Sequence, residues 1–142
     1  MTPAVFLIDT SALNRLIQEV KSQELLPWRD AANKALIAIS PITELEFLHS
    51  ARSGKDRLRA AAFLNSALLP AALDEEHARR AFAVQRILTE HGEHRNAGTV
   101  DLLVAACAEI SGLTLLHYDR DFETIAEHTG QPTSWLAPPG SL

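Results

Sequence analysis

The chain has 142 residues, 46% hydrophobic and 22% charged, with a formal net charge of −5. That is the composition of an ordinary globular domain, and it argues against a strongly basic nucleic-acid-coating protein. No apolar stretch approaches the ~20 residues that span a bilayer, and the amino-terminal sequence lacks the basic region and small-residue cleavage pattern of a signal peptide. The single cysteine, Cys107, excludes an internal disulfide and fits a reducing cytosol.

Apolar runs alternate with longer helical patterns, which predicts βαβ units and a parallel sheet. Residues 4–9 read as a first strand, and Thr10 or Ser11 can cap a helix running through about Val20. A second helix is expected from near Pro27 toward Lys34, then a short buried strand over residues 35–39. Ser40-Pro41 reads as an N-cap followed by proline at the first helical position. That helix should reach about Arg52 and stop at Ser53-Gly54. Another covers roughly residues 55–67, and residues 68–73 read as a strand that Pro70 confines to an edge or bulge. Asp74 can cap a helix over about residues 75–91, which Gly92 ends. Residues 93–98 form a polar loop. Residues 99–111 are a helix, apolar on every face through Ala108 and therefore central. A strand over residues 113–118, a helix over 120–128 and a last strand over 133–136 complete the pattern. No linker or repeat interrupts residues 1–142, so a single domain is expected.

Carboxylates recur at the ends of these apolar segments. Asp9 follows Phe6-Leu7-Ile8, Glu44 lies inside Ile42-Thr43-Glu44-Leu45, Asp101 precedes Leu102-Leu103-Val104, and Asp119 and Asp121 follow Leu115-Leu116. Carboxylates beside apolar runs are costly to bury unless paired or bound to metal. In a parallel sheet, groups that follow strands meet at the carboxyl edge, where ligands bind. Several carboxylates there would make a hard oxygen site suited to Mg²⁺ or Mn²⁺. Setting these five acids aside leaves 13 acids against 13 Lys and Arg, so the charge deficit lies in the pocket itself. Each acid also has an ordinary reading. Asp9, Asp119 and Asp121 can cap helices, and Asp101 can favour the positive end of a helix dipole two residues after Thr99. Helical phase sets Glu44 between Phe47 and Leu48 and leaves Glu46 at the surface or rim. Arg95 and His117 are candidate substrate contacts, while Thr10, Ser11 and Thr99 offer hydroxyls beside the acids. His91 and His94 read as a polar helix end.

Four segments, in order, resemble the PIN-domain nuclease pattern: Phe6-Leu7-Ile8-Asp9-Thr10-Ser11, Thr43-Glu44-Leu45, Asp101-Leu102-Leu103-Val104-Ala105-Ala106 and His117-Tyr118-Asp119-Arg120-Asp121-Phe122. The resemblance is closest to VapC-type toxins of bacterial toxin–antitoxin pairs, and it extends through Trp135-Leu136-Ala137-Pro138-Pro139-Gly140. It implies an α/β fold, a PIN-like three-layer α/β/α sandwich around a mainly parallel sheet of about four to five strands. It also implies metal-dependent hydrolysis of RNA with Mg²⁺ (or Mn²⁺). Asp9, Glu44, Asp101 and Asp119 would be the catalytic acids, with Asp9, Asp101, Asp119 and Asp121 as metal ligands. A homodimer and a small VapB-type antitoxin are the implied partners. The family often has a small polar residue before its fourth acid, where His117 and Tyr118 stand here; which of Asp119 and Asp121 faces the metal is left open.

Two unrelated readings fit less well. A phosphoacceptor receiver domain needs a lysine near its last strand, and this chain has none after Lys55; a dehalogenase-type phosphatase needs an Asp two residues after Asp9, where Ser11 stands. A catalytically inactive binding module on the same fold would carry the same pattern.

Overall fold

A computed structural model describes residues 4–19 and 21–142. Five short strands form one sheet: β1 (Phe6–Ile8), β2 (Ile37–Ile39), β3 (Leu69–Pro70), β4 (Thr114–His117) and β5 (Thr133–Trp135). Their order is β3-β2-β1-β4-β5, and every pairing is parallel. Ile8 at the end of β1 is in register with Ile39 on one side and Leu116 on the other. All carboxyl ends therefore share one edge, and the chain's direction of travel reverses between β1 and β4. That gap is the switch point where open parallel sheets hold ligands.

Seven α-helices cover the two faces among the described residues: α1 (Thr10–Gln18), α2 (Leu26–Asn33), α3 (Pro41–His49), α4 (Gly54–Ala67), α5 (Glu75–Glu90), α6 (Thr99–Ile110) and α7 (Asp121–Thr129). The period of two along each strand divides the core. Leu7, Ala38 and Leu115 point to one side, against Val84, Leu88, Leu102, Ala105, Phe122 and Ile125 of α5, α6 and α7. Ile8, Ile37, Ile39 and Leu116 point to the other, against Leu13, Leu16, Ala31 and Leu64 of α1, α2 and α4. Strands buried on both faces carry no polar alternation, which is why they read as continuous apolar runs. The expected three-layer α/β/α architecture is the one observed, and α6 is the central helix, with Leu102 and residues 104–108 buried.

Several boundaries differ from expectation for local reasons. Neither Thr10 nor Ser11 caps α1; Asp9 does, accepting from the N–H groups of Ser11 and Ala12. Helix α1 ends at Gln18, and Val20 lies outside the described residues. Helix α3 stops at His49 rather than near Arg52, and Ser53 does not end that helix but caps α4 by accepting from the Asp56 N–H. The strand expected from Ala35 begins at Ile37, because Ala35 sits at φ 59° and turns the chain out of α2. Pro70 does fall in an edge strand, although that strand is only two residues long. Among the described residues, no helix is long and apolar enough to cross a membrane.

Candidate metal centre

Asp9 leaves β1 at the switch point and is 4% exposed. Its backbone N–H donates to the Leu116 carbonyl at 3.0 Å, which ties it to β4. Its carboxylate accepts the Ala12 N–H at 3.0 Å and the Ser11 N–H at 3.2 Å, closing the first turn of α1. The Ser11 hydroxyl lies 2.8 Å from both carboxylate oxygens, and Ser11 Oγ accepts the Tyr118 N–H at 2.9 Å. Burial pushes the Asp9 carboxyl up to about 6, against the lowering effect of these hydrogen bonds, and the Asp101 charge adds to the rise. A group satisfied by its own helix start is nevertheless short of positive charge.

Asp101, Asp119 and Asp121 come together. Each offers a carboxylate oxygen, and the three oxygens lie within 4.8 Å of one another. Asp101 occupies the third position of α6, whose N-cap is Gly98. From there its carboxylate reaches back to the Gly98 backbone N–H, half of a capping box. Asp119 and Asp121 stand in the turn between β4 and α7, where Asp119 Oδ1 accepts the Asp121 N–H at 2.9 Å. Burial raises the Asp101 carboxyl to about 6, with the charges of Asp119, Asp121 and Glu46 adding to the rise. Burial and the Asp119 charge raise Asp121 as well. Three crowded carboxylates, with the Asp119 charge raising both Asp101 and Asp121, are a donor set that fits a hard divalent cation, which would relieve the repulsion.

The two glutamates of α3 divide differently from the sequence reading. Glu44 is half-buried in the first turn and stands outside the acidic trio. Glu46 is exposed at the rim, yet it reaches α1, where its Oε1 accepts the Thr10 hydroxyl at 2.6 Å, and its charge is felt at Asp101. The available signal was Thr43, which is fully buried and lies one turn before Glu46. A buried Thr43 turns that face of α3 toward the body of the protein, so Glu46 follows it to the site's edge.

The remaining candidates separate by exposure. Arg95 and Thr99 are exposed on the loop and first turn that lead into Asp101. Thr10 and Ser11 are engaged with Glu46 and Asp9. His117, expected as a candidate substrate contact, is instead fully buried, with its ring centroid 5.2 Å from that of Phe122 and 4.7 Å from that of Trp135. His91 packs on His128, whose Nε2 lies 3.2 Å from Glu93.

This geometry has counterparts among known proteins. Residues 6–128 match the PIN domain family. Ribonuclease VapC2 of Mycobacterium tuberculosis is 39% identical over 137 residues, covering 96% of this chain and 95% of its own. Ribonuclease VapC51 of the same species is 36% identical over 137 residues, covering 96% of both. A crystal structure of DNA-bound VapBC from Salmonella typhimurium contains a chain that superposes with a TM-score of 0.77, covering 94% of this chain and 99% of that one at 22% identity. The fold is thus shared well beyond the reach of sequence identity. With a match that takes in β1 through α7, and with it all four acids at the sheet's carboxyl edge, the chain belongs to the PIN-domain family.

Proposed function

We propose that residues 1–142 form a single PIN domain acting as a Mg²⁺-dependent endoribonuclease, the toxin of a VapBC-type pair, with Mn²⁺ able to replace Mg²⁺. One observation carries this reading above the rest: three carboxylates gathered within 4.8 Å at the switch point of a parallel sheet. The ribonuclease names of relatives 36–39% identical over nearly the whole chain support the choice of RNA as substrate.

Asp101, Asp119 and Asp121 would hold the ion, with Asp9 buried beside them as a further ligand or as the acid that orients its water. When bound, such an ion lowers the pKa of water and stabilises charge on the phosphate and the leaving oxygen. The protein's own contribution is to hold these acids close together and fixed. Asp9 is fixed by α1, Asp101 by Gly98, and Asp121 through its N–H to Asp119. Glu46 on the rim is favoured over Glu44 as the α3 carboxylate that acts with them, because it alone is tied to the start of α1 by a hydrogen bond. Arg95 and Thr99 face solvent where a flanking phosphate would lie.

The partners follow from the same charges. An antitoxin Arg or Lys would enter the acidic pocket as a substitute cation. A second copy of the chain would cover the apolar face on which Phe82 stands 71% exposed beside Ala78, Leu102 and Leu103. The protein would meet its RNA in the cytoplasm.

The test is cleavage of a mixed RNA pool by purified protein in Mg²⁺, Mn²⁺ or EDTA, beside Asp9→Asn. Asparagine keeps the cap of α1 and loses the charge, so cutting should vanish while the fold remains. Well-folded wild type that cuts nothing in either metal would convert the reading to an inactive binding module.

A further inference from the structure

We infer that His117 is a positioning residue for the acidic turn: through Nδ1 it holds the Asp119 peptide in the orientation that brings Asp119 and Asp121 to Asp101. The inference rests on the functional reading above for its consequence, but on geometry alone for the contact.

His117 ends β4, a strand whose preceding residues are Leu115 and Leu116, and it is wholly buried between Phe122 and Trp135. Its Nδ1 accepts the Asp119 N–H at 3.3 Å. An imidazole nitrogen that accepts from a backbone N–H has no proton, so in the neutral ring the proton sits on Nε2. That Nε2 is buried and has no hydrogen-bond partner among the described residues. An unpaired buried donor is a standing cost, and a leucine or phenylalanine at this place would remove it. What the apolar residue could not supply is the acceptor.

Backbone accounting shows why the acceptor matters. Leaving β4, the chain presents the Tyr118 N–H to Ser11 Oγ, the Asp119 N–H to His117 Nδ1, the Asp121 N–H to Asp119 Oδ1 and the Phe122 N–H to the Asp119 carbonyl. Strand pairing takes none of these four groups, so side chains and the turn itself must accept them. His117 is the acceptor for the residue that in turn orders Asp121. Its own carbonyl accepts the Leu136 N–H at 2.8 Å, so the backbone at His117 is tied to the residue that follows β5.

Three substitutions separate the acceptor from the packing. His117→Asn retains an acceptor oxygen near the Nδ1 position and exchanges the orphan Nε2–H for an amide NH2. His117→Gln carries its amide one carbon farther and loses the register. His117→Leu keeps bulk and loses the acceptor. We would follow amide hydrogen exchange at Asp119 by NMR and Mn²⁺ affinity by calorimetry in the full chain. The expected result is faster Asp119 exchange and an Mn²⁺ affinity weaker by about tenfold in Leu and Gln, the scale of lost support for a metal ligand. Asn should stay near wild type on both, and Leu should melt no lower than wild type. Wild-type protection of the Asp119 amide in a folded Leu or Gln variant would overturn the inference, as would an Asn variant failing together with Leu. If Leu does not fold, the Asn and Gln pair still decides. Wild type that binds no Mn²⁺ would sink the functional reading, whereas the exchange data would still judge His117.

Discussion

Replacing Asp101 with Asn should stabilise the metal-free protein while removing its activity. The folded carboxyl rises from 3.8 to about 6 through burial and the charges of Asp119, Asp121 and Glu46. At about 1.36 kcal/mol per pKa unit, that rise corresponds to roughly 3 kcal/mol against the ionised folded state. Asp101 is partly exposed, and solvent screening reduces the recoverable amount to about 1–2 kcal/mol. Asparagine still accepts the Gly98 N–H, so the cap of α6 survives the change. The sign with pH follows directly. Because the folded pKa exceeds the unfolded value, the folded state holds the extra proton between the two, and stability falls as pH rises through that window. The advantage of Asp101→Asn is therefore full above about pH 6 and disappears as pH falls toward 3.8. Urea denaturation in EDTA at pH 7.5 and at pH 4.5 measures both ends. Adding Mg²⁺ should reverse the order, since an ion at about a hundred times its dissociation constant adds about 2.7 kcal/mol to wild type. A variant less stable than wild type in EDTA at pH 7.5, or a difference that ignores pH, would refute the claim that the trio repels itself.

Three other outcomes are expected. Ser11→Ala removes the hydroxyl that serves both Asp9 oxygens and the acceptor of the Tyr118 N–H, and should cost about 1–3 kcal/mol in urea denaturation; a neutral change would mean that water replaces it. Glu46→Gln should weaken Mn²⁺ binding or RNA cleavage by about tenfold while Glu44→Gln changes little; the opposite pattern would return the role to Glu44. Phe122→Ala empties a fully buried position against His117 and should cost about 3–5 kcal/mol, read as a lowered melting temperature.

Much of the architecture was legible because it depends on local chemistry. Strands buried on both faces read as unbroken apolar runs, and Asp74 and Ser40-Pro41 mark helix starts by capping groups that lie next to them in the chain. Boundaries slipped where the deciding group was one residue away. Asp9 displaced Thr10 and Ser11 as the cap, and Ser53 opened α4 rather than closing α3, since a capping side chain looks the same from either side of a turn. The three Asp residues that gather at the sheet's edge were visible as acids beside apolar runs, whereas the reach of Glu46 to α1 was not.

What the linear chain determined by itself was the alternation of elements and the cost of its acids, both consequences of nearest neighbours and period. Only the tertiary structure decided that β1 pairs with β2 on one side and β4 on the other, which opens the switch point between Asp9 and Asp119. It also decided that both Asp119 and Asp121 join Asp101, that Glu46 touches α1, and that His117 is buried with one nitrogen unpaired. These depend on contacts across about 20 to 110 residues of chain, reaching from Ser11 to Tyr118 at a separation of 107. Such contacts form only after strand pairing has fixed where each helix begins, so no local pattern encodes them.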